Sequence, residues 1–303
     1  MQDALAPPQS RPNTQAEADY FFDLQGYRVL DEALSPSQLE WINAWIDAQP
    51  AAEPGQWLDD VEVQTYQRHD GVNYQNILEG GRVFEEHIDN PAWIDQVRRY
   101  VCTPFHKLSI NEAFLNVRRS GGFIGLHSGG HSAYSVMSFR HRTGGWMVGQ
   151  INILMALTDI GPGDGATTVI PGSHKAHELH PALAGGGHVG YNDDIVAGEQ
   201  LGMREVHLKA VQAVMFTDAI THGSTERTNP GERRVLIYRY SPHCITPRYM
   251  YLPSEGLLDR LTPERREIVE ATRPRMRPGR SLASDAVGHV TPLNRLDAQP
   301  PAA

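Results

Sequence analysis

Between residues 105 and 243 the sequence breaks into short apolar runs, each stopped within a few residues by Gly, Pro or Asp. This punctuation constrains the fold more than any other feature of the chain. Runs of that length suit strands better than helices. They fall at 113–117, 123–127, 149–158, 166–170, 206–210, 213–217 and 233–240. Many short strands stabilise one another as a sandwich or a closed roll. The expected architecture is therefore mainly β, a jelly roll, with an α/β sandwich as the alternative. Gly161-Pro162-Gly163-Asp164-Gly165 stands between two of the runs and reads as a hairpin turn.

Helices frame the strands and are expected to buttress the sheet at both ends of the chain. Ser35-Pro36-Ser37-Gln38 has the form of a capping box with proline at the first helical position, and Leu39, Ile42, Trp45 and Ile46 follow at helical spacing. A second helix is expected from Asn90-Pro91 through Trp93, Val97 and Val101. A third begins where Thr262 caps and Pro263 opens, with Ile268 and Val269 facing inward. Residues 1–15 read as a disordered lead-in that lacks the basic start and apolar stretch of a secretion signal, 16–275 as one domain, and 276–303 as a Pro/Ala-rich tail.

The bulk numbers remove several classes. No run of eighteen apolar residues exists, so no membrane span is expected. A net charge of -9 speaks against a DNA or RNA polymer as partner and leaves a small-molecule substrate. Two cysteines, Cys102 and Cys244, make neither a disulfide framework nor a thiolate zinc cluster, and they fit a reducing, cytoplasmic setting. Neither a Walker loop nor a Gly-x-Ser-x-Gly elbow is present.

Two segments carry chemistry. In 124–131, IGLHSGGH, and in 214–224, VMFTDAITHGS, a histidine ends or follows an apolar strand, and Arg233 opens a further strand eleven residues after His222. Non-haem iron(II) is held by imidazoles on one face, which leaves positions for a co-substrate and dioxygen. A dicarboxylate co-substrate needs a fixed cation at its far end, and arginine's planar fork meets a carboxylate better than lysine's point charge.

The stretch 156–175, ALTDIGPGDGATTVIPGSHK, with His222-Gly223-Ser224 and Arg233-Arg234, resembles the phytanoyl-CoA dioxygenase family over residues 105–243. The resemblance implies a double-stranded β-helix (cupin-like jelly roll) and an oxidoreductase using iron(II), 2-oxoglutarate and O2. On it, His127 and His222 bind the metal, Arg233 grips 2-oxoglutarate and Ser224 assists. The family pattern His-x-Asp is broken here, because the third position is Gly129.

That glycine leaves three readings. In the first, Gly129 opens a coordination position for chloride, which carries the single negative charge of the lost aspartate. The chain then resembles the iron/2-oxoglutarate halogenases and chlorinates an aliphatic carbon. In the second, water, Asp218 or His131 fills the gap and the enzyme hydroxylates or otherwise oxidises its substrate. Strand alternation would leave Asp218 about two residue pairs from His222. In the third, the fold only binds a small molecule. The segment 132–145 reads either as a solvated connection or as a lid whose Arg140, His141 and Arg142 meet an anionic substrate, a free nucleotide being one that would fit. Gln150 and Asn152 share one strand face and are expected either to orient a ligand in the barrel or to satisfy backbone groups.

Overall fold

Strands buried on both faces explain why the apolar runs are nearly continuous rather than alternating. In strand Ala213–Thr217, Ala213 and Met215 face one core while Val214 and Phe216 face a second. In strand Arg233–Pro242, Leu236, Tyr238 and Tyr240 face the first core, and Val235 and Ile237 the second. The computed structural model describes residues 12, 14–65, 69–131, 136–142, 145–184, 190–245 and 251–271.

These strands belong to an antiparallel sheet of eight. Its order is Tyr27–Leu30, Ala213–Thr217, Ile151–Ala156, Arg233–Pro242, Leu108–Arg118, Val72–Gln75, Val61–Gln64 and Trp57–Leu58. Facing it is a sheet of five, ordered Tyr191–Val196, Gly125–His127, His222–Ser224, Thr167–Val169 and Arg204–Val206. The second core lies between the two, where Phe114, Val214, Phe216 and Val235 meet Ala166, Val169 and Val206. This is the jelly roll.

The first core lies between the large sheet and the helices. Ile42, Ile46, Phe84, Trp93, Val97 and Ile268 are buried there. At about 1.5–3 kcal/mol for each large apolar side chain, this packing pins the helices to the outer face of the large sheet. Helix Pro36–Ala48 has the expected capping box, with Gln38 N–H donating to Ser35 Oγ at 3.2 Å and Ser35 N–H to Gln38 Oε1 at 2.9 Å. Helix Pro263–Val269 is capped by Thr262 as expected. Helix Gln15–Gln25 starts inside the segment assigned to the lead-in, because Thr14 and Glu17 form a second capping box. The tail assigned to 276–303 lies outside the described residues. No helix among the described residues is long and apolar enough to cross a membrane, and both cysteines are free.

Two expectations need correction. The turn at 161–165 is not a hairpin, because the strands on either side, Ile151–Ala156 and Thr167–Val169, belong to different sheets. Gly163 and Gly165 adopt left-handed φ of 78° and 75°, and Asp164 ties the crossing to Arg227 and Asn229. The segment 132–145 is not one open connection either. Strand Phe139–Arg142 pairs with Gly145–Val148, while 132–135 and 143–144 lie outside the described residues.

Two buried histidines make this fold acid-sensitive. Burial above all lowers both His87 and His174 from 6.5 to about 4. Above pH 6.5 both states are neutral and the full stability is present. Between 6.5 and 4 the unfolded chain takes up protons that the folded chain refuses, so stability falls, by up to about 3 kcal/mol per histidine. Urea midpoints should decline from pH 7 to 4.5, and replacing either ring by a non-titrating residue should reduce the slope. A flat profile would contradict the burial argument.

Candidate metal centre

Strands Gly125–His127 and His222–Ser224 run antiparallel with His127 directly opposite His222. Opposed residues share a sheet face, and here the two ring centroids are 3.9 Å apart with planes inclined at 52°. Each Nδ1 contacts the carbonyl two residues earlier, Gly125 O at 2.9 Å for His127 and Ile220 O at 2.8 Å for His222. A carbonyl only accepts, so each Nδ1 carries a proton, and Nε2 is the nitrogen left to meet a metal. That is the tautomer of a metal-binding histidine whose outer N–H is anchored to backbone. Tyr191 stacks on His127 at 5.0 Å, and Phe216 meets His222 edge-on at 4.9 Å, so both rings are wedged in place.

Gly129 opens a short turn, Gly129–His131. The open position expected beside it is not what the structure contains. A β-carbon on Gly129 would lie 2.1 Å from Asp218 Oδ2 and 3.0 Å from Asp218 Cγ. The volume that an aspartate at 129 would enter therefore holds the Asp218 carboxylate. Simple strand arithmetic misplaces Asp218, because strand Ala213–Thr217 ends one residue before it and the chain turns before His222. Two contacts draw the segments together: Gly129 N–H donates to Asp218 O at 3.0 Å, and Ser128 Oγ–H to Ala219 O at 3.0 Å. Gln150 and Asn152, which sequence left between ligand and backbone duties, each donate to Asp218 Oδ1 at 3.0 Å. His131, the other proposed donor, is bonded through Nδ1 to Ser128 Oγ at 3.1 Å. Among the described residues no three His, Cys, Asp or Glu side chains are already gathered as a complete metal-binding group. The chain presents an imidazole pair, with a carboxylate on the side of residue 129.

On the facing eight-stranded sheet lies a buried cationic pocket that reaches Ser224 and Thr167 of the histidines' own sheet. Arg233, 3% exposed, donates to Asn116 Oδ1 and Thr167 Oγ1, each at 3.2 Å. Directly opposite it across the strand pair is Arg118, which donates to Ser224 Oγ at 2.8 Å and to the Asp70 carbonyl at 3.2 Å. Ser224 thus orients Arg118, and it also accepts from Ile124 N–H. Burial, then the neighbouring Arg118 and Arg227, pushes Arg233 well below the usual arginine range. Burial lowers Arg118 to about 10, with Asp70 opposing the shift and Arg227 adding to it. Arg227 is paired with Asp164, whereas the hydrogen bonds of Arg118 and Arg233 all go to neutral oxygens. Like charges opposed across a strand pair destabilise it, and buried charge is costly unless paired. Arg233 Nε is moreover buried with no partner. A carboxylate would complete the pocket.

The spacing suits one bridging molecule. Ser224 lies two residues beyond His222 on the same face, and Thr167 pairs with Ser224 as Val169 pairs with His222. Two residues of strand span about 7 Å. A five-carbon dicarboxylate with one end at the imidazoles and the other at the arginines fits that interval, so the residues present suit iron(II) and 2-oxoglutarate.

A cavity of about 610 Å³ opens next to the turn Gly129–His131, lined among others by Gly130, His131, Arg140, His141, Lys175 and His177. Arg140 and His141 are thus cavity-lining residues. The side chain of Arg142 lies outside the described residues. Lys175 closes the short helix Ser173–Lys175, bonded to Asp23. It lines the same cavity.

Arg118 was missed by sequence reasoning, because only its register opposite Arg233 marks it. A strand ending in arginine beside a strand starting with one was the available signal.

Residues 22–235 match the family model described as phytanoyl-CoA dioxygenase (PhyH). A curated relative, the dioxygenase cdmD of Talaromyces verruculosus, is 30% identical over 138 residues, covering 45% of this chain and 40% of that one. Among solved structures, HygX from Streptomyces hygroscopicus, with nickel and 2-oxoglutarate bound, superposes with a TM-score of 0.62 at 19% identity, over 80% of this chain and 94% of that one. The non-haem α-ketoglutarate-dependent epimerase SnoN from nogalamycin biosynthesis gives 0.52 at 14% identity, over 88% and 94%.

Proposed function

Because this chain belongs to the phytanoyl-CoA dioxygenase family of iron(II)/2-oxoglutarate oxidoreductases, we propose that it oxidises an aliphatic C–H of a small anionic molecule, delivering oxygen to it. The observation that carries this reading is the pairing of two imidazoles, His127 and His222, each anchored through Nδ1, with a buried arginine pair one ligand-length away. Iron(II) held at those nitrogens would supply the oxidising chemistry, with O2 and 2-oxoglutarate as co-substrates.

The protein's own residues do the rest. The Nδ1–H bonds to Gly125 O and Ile220 O keep both imidazoles in the binding tautomer. Arg233 and Arg118 hold the far carboxylate and are relieved of their mutual repulsion by it. Tyr191 and Phe216 keep water from the imidazole faces. Arg140 and Lys175 offer cationic groups, and His141 a hydrogen-bonding ring, to a phosphate or carboxylate on the substrate.

Chlorination asks for a halide beside Gly129. The Asp218 carboxylate fills that space, and its negative charge repels an anion. Oxygen transfer is the reading this favours. Purified enzyme incubated with iron, 2-oxoglutarate and a panel of small phosphates and carboxylates should give hydroxylated product whose yield is unchanged by chloride. Arg140→Ala should raise the KM for such a substrate about tenfold, by removing one charge-assisted contact. Product carrying chlorine in proportion to added chloride would overturn the oxygenase reading and support a halogenase.

A further inference from the structure

We propose that Asp218 supplies the metal-binding carboxylate that residue 129 lacks, so that the site is completed by His127, Asp218 and His222. This rests on the metal-centre reading above and adds a donor to it. The oxygen nearest the missing side chain, Asp218 Oδ2, sits 2.1 Å from where a β-carbon at 129 would be, which is within the space an aspartate there would occupy. The carboxylate has moved from the turn after the first histidine to the turn before the second. Only glycine at 129 makes room for it.

The surroundings hold that carboxylate in place. Asp218 is 2% exposed, and such a group is costly in a core unless it is anchored. Gln150 Nε2 donates to Asp218 Oδ1 and to Asn152 Oδ1, and Asn152 Nδ2 donates to Asp218 Oδ1. Both amides aim at Oδ1, and Oδ2 is the oxygen turned toward Gly129. The Gly129 N–H to Asp218 O bond fixes the two turns to each other. Three buried polar side chains with this orientation build a rigid carboxylate at the Gly129 position. Its charge also offsets that of a divalent cation, as an aspartate at 129 would.

The test is metal titration of the full chain, anaerobically with iron(II) alone, followed by calorimetry. Asp218→Asn keeps the shape and should weaken iron binding at least about 100-fold. Gly129→Asp alone should bind poorly and unfold at lower urea, because its β-carbon meets the Asp218 carboxylate. The double variant Gly129→Asp/Asp218→Gly should recover wild-type iron affinity to within about tenfold. Wild-type affinity in a folded Asp218→Asn chain would overturn the proposal. If that variant does not fold, the double variant decides: tight binding upholds the relocation, and a folded chain that binds weakly overturns it. His222→Ala separates the two levels. If it loses iron while Asp218→Asn does not, only the carboxylate assignment fails. If neither loses iron, the metal centre itself is wrong.

Discussion

Replacing His222 with alanine is expected to reduce 2-oxoglutarate turnover at least about a thousandfold while leaving the chain folded. The metal's contribution to such a reaction is several kcal/mol, and each 1.4 kcal/mol is a factor of ten. His222 offers one of the two imidazoles paired at the site, and the register fixes it opposite the other. The cost to stability is smaller, because losing the ring's hydrogen bond to Ile220 O leaves a buried acceptor without its donor, worth about 1–3 kcal/mol. Succinate formation and an anaerobic iron titration check the first part, and a urea melt checks the second. Turnover within tenfold of wild type would remove His222 from the metal.

Arg233→Met should separate binding from folding, with opposite signs. In the ligand-free chain two buried guanidiniums face each other across a strand pair, and both are bonded only to neutral oxygens. Exchanging one for an apolar side chain of similar length removes that repulsion and is expected to stabilise the ligand-free protein by about 1–4 kcal/mol, the range seen when buried ionic groups are replaced by well-packed apolar ones. The same exchange removes the fork that meets the co-substrate carboxylate. At about 1.5–3 kcal/mol for each hydrogen bond to a charged group, the KM for 2-oxoglutarate should rise about a hundredfold or more. A melt with and without 2-oxoglutarate reads both: the variant melts higher alone and gains nothing from the ligand. A variant that melts lower and still responds would show that Arg233 is a structural ion and not a ligand anchor.

The long strands of the large sheet, Leu108–Arg118, Ile151–Ala156, Ala213–Thr217 and Arg233–Pro242, were legible because their runs are apolar on both faces, and that pattern survives without knowledge of pairing. Strands Val61–Gln64 and Val72–Gln75 were not, since each is short and carries polar residues, Val72–Gln75 being stabilised by pairing onto strand Leu108–Arg118 and Val61–Gln64 by pairing onto Val72–Gln75. Propensity in a strand reflects its neighbours more than its own backbone. The crossing at 161–165 was misread for a related reason. Its turn residues are those of a hairpin, and only the sheet assignment of the flanking strands tells the two apart.

The site divides the same way. His127, His222 and Arg233 could be placed because each sits at a strand end in a recognisable spacing. The roles of Gly129 and Asp218 depend on a contact between two turns that are far apart in sequence, closed by the Gly129 N–H to Asp218 O bond. Read alone, Gly129 is a missing carboxylate. Beside Asp218 it is the space that a carboxylate needs. Arg118 likewise acquires its meaning only through its register with Arg233.

The most direct test of this account is an anaerobic crystal structure of the full chain grown with iron(II), 2-oxoglutarate and chloride. It should place iron on Nε2 of both His127 and His222, with the distal carboxylate of 2-oxoglutarate on Arg233 and no halide beside Gly129. Iron bound away from that histidine pair, or 2-oxoglutarate seated apart from Arg233, would contradict it.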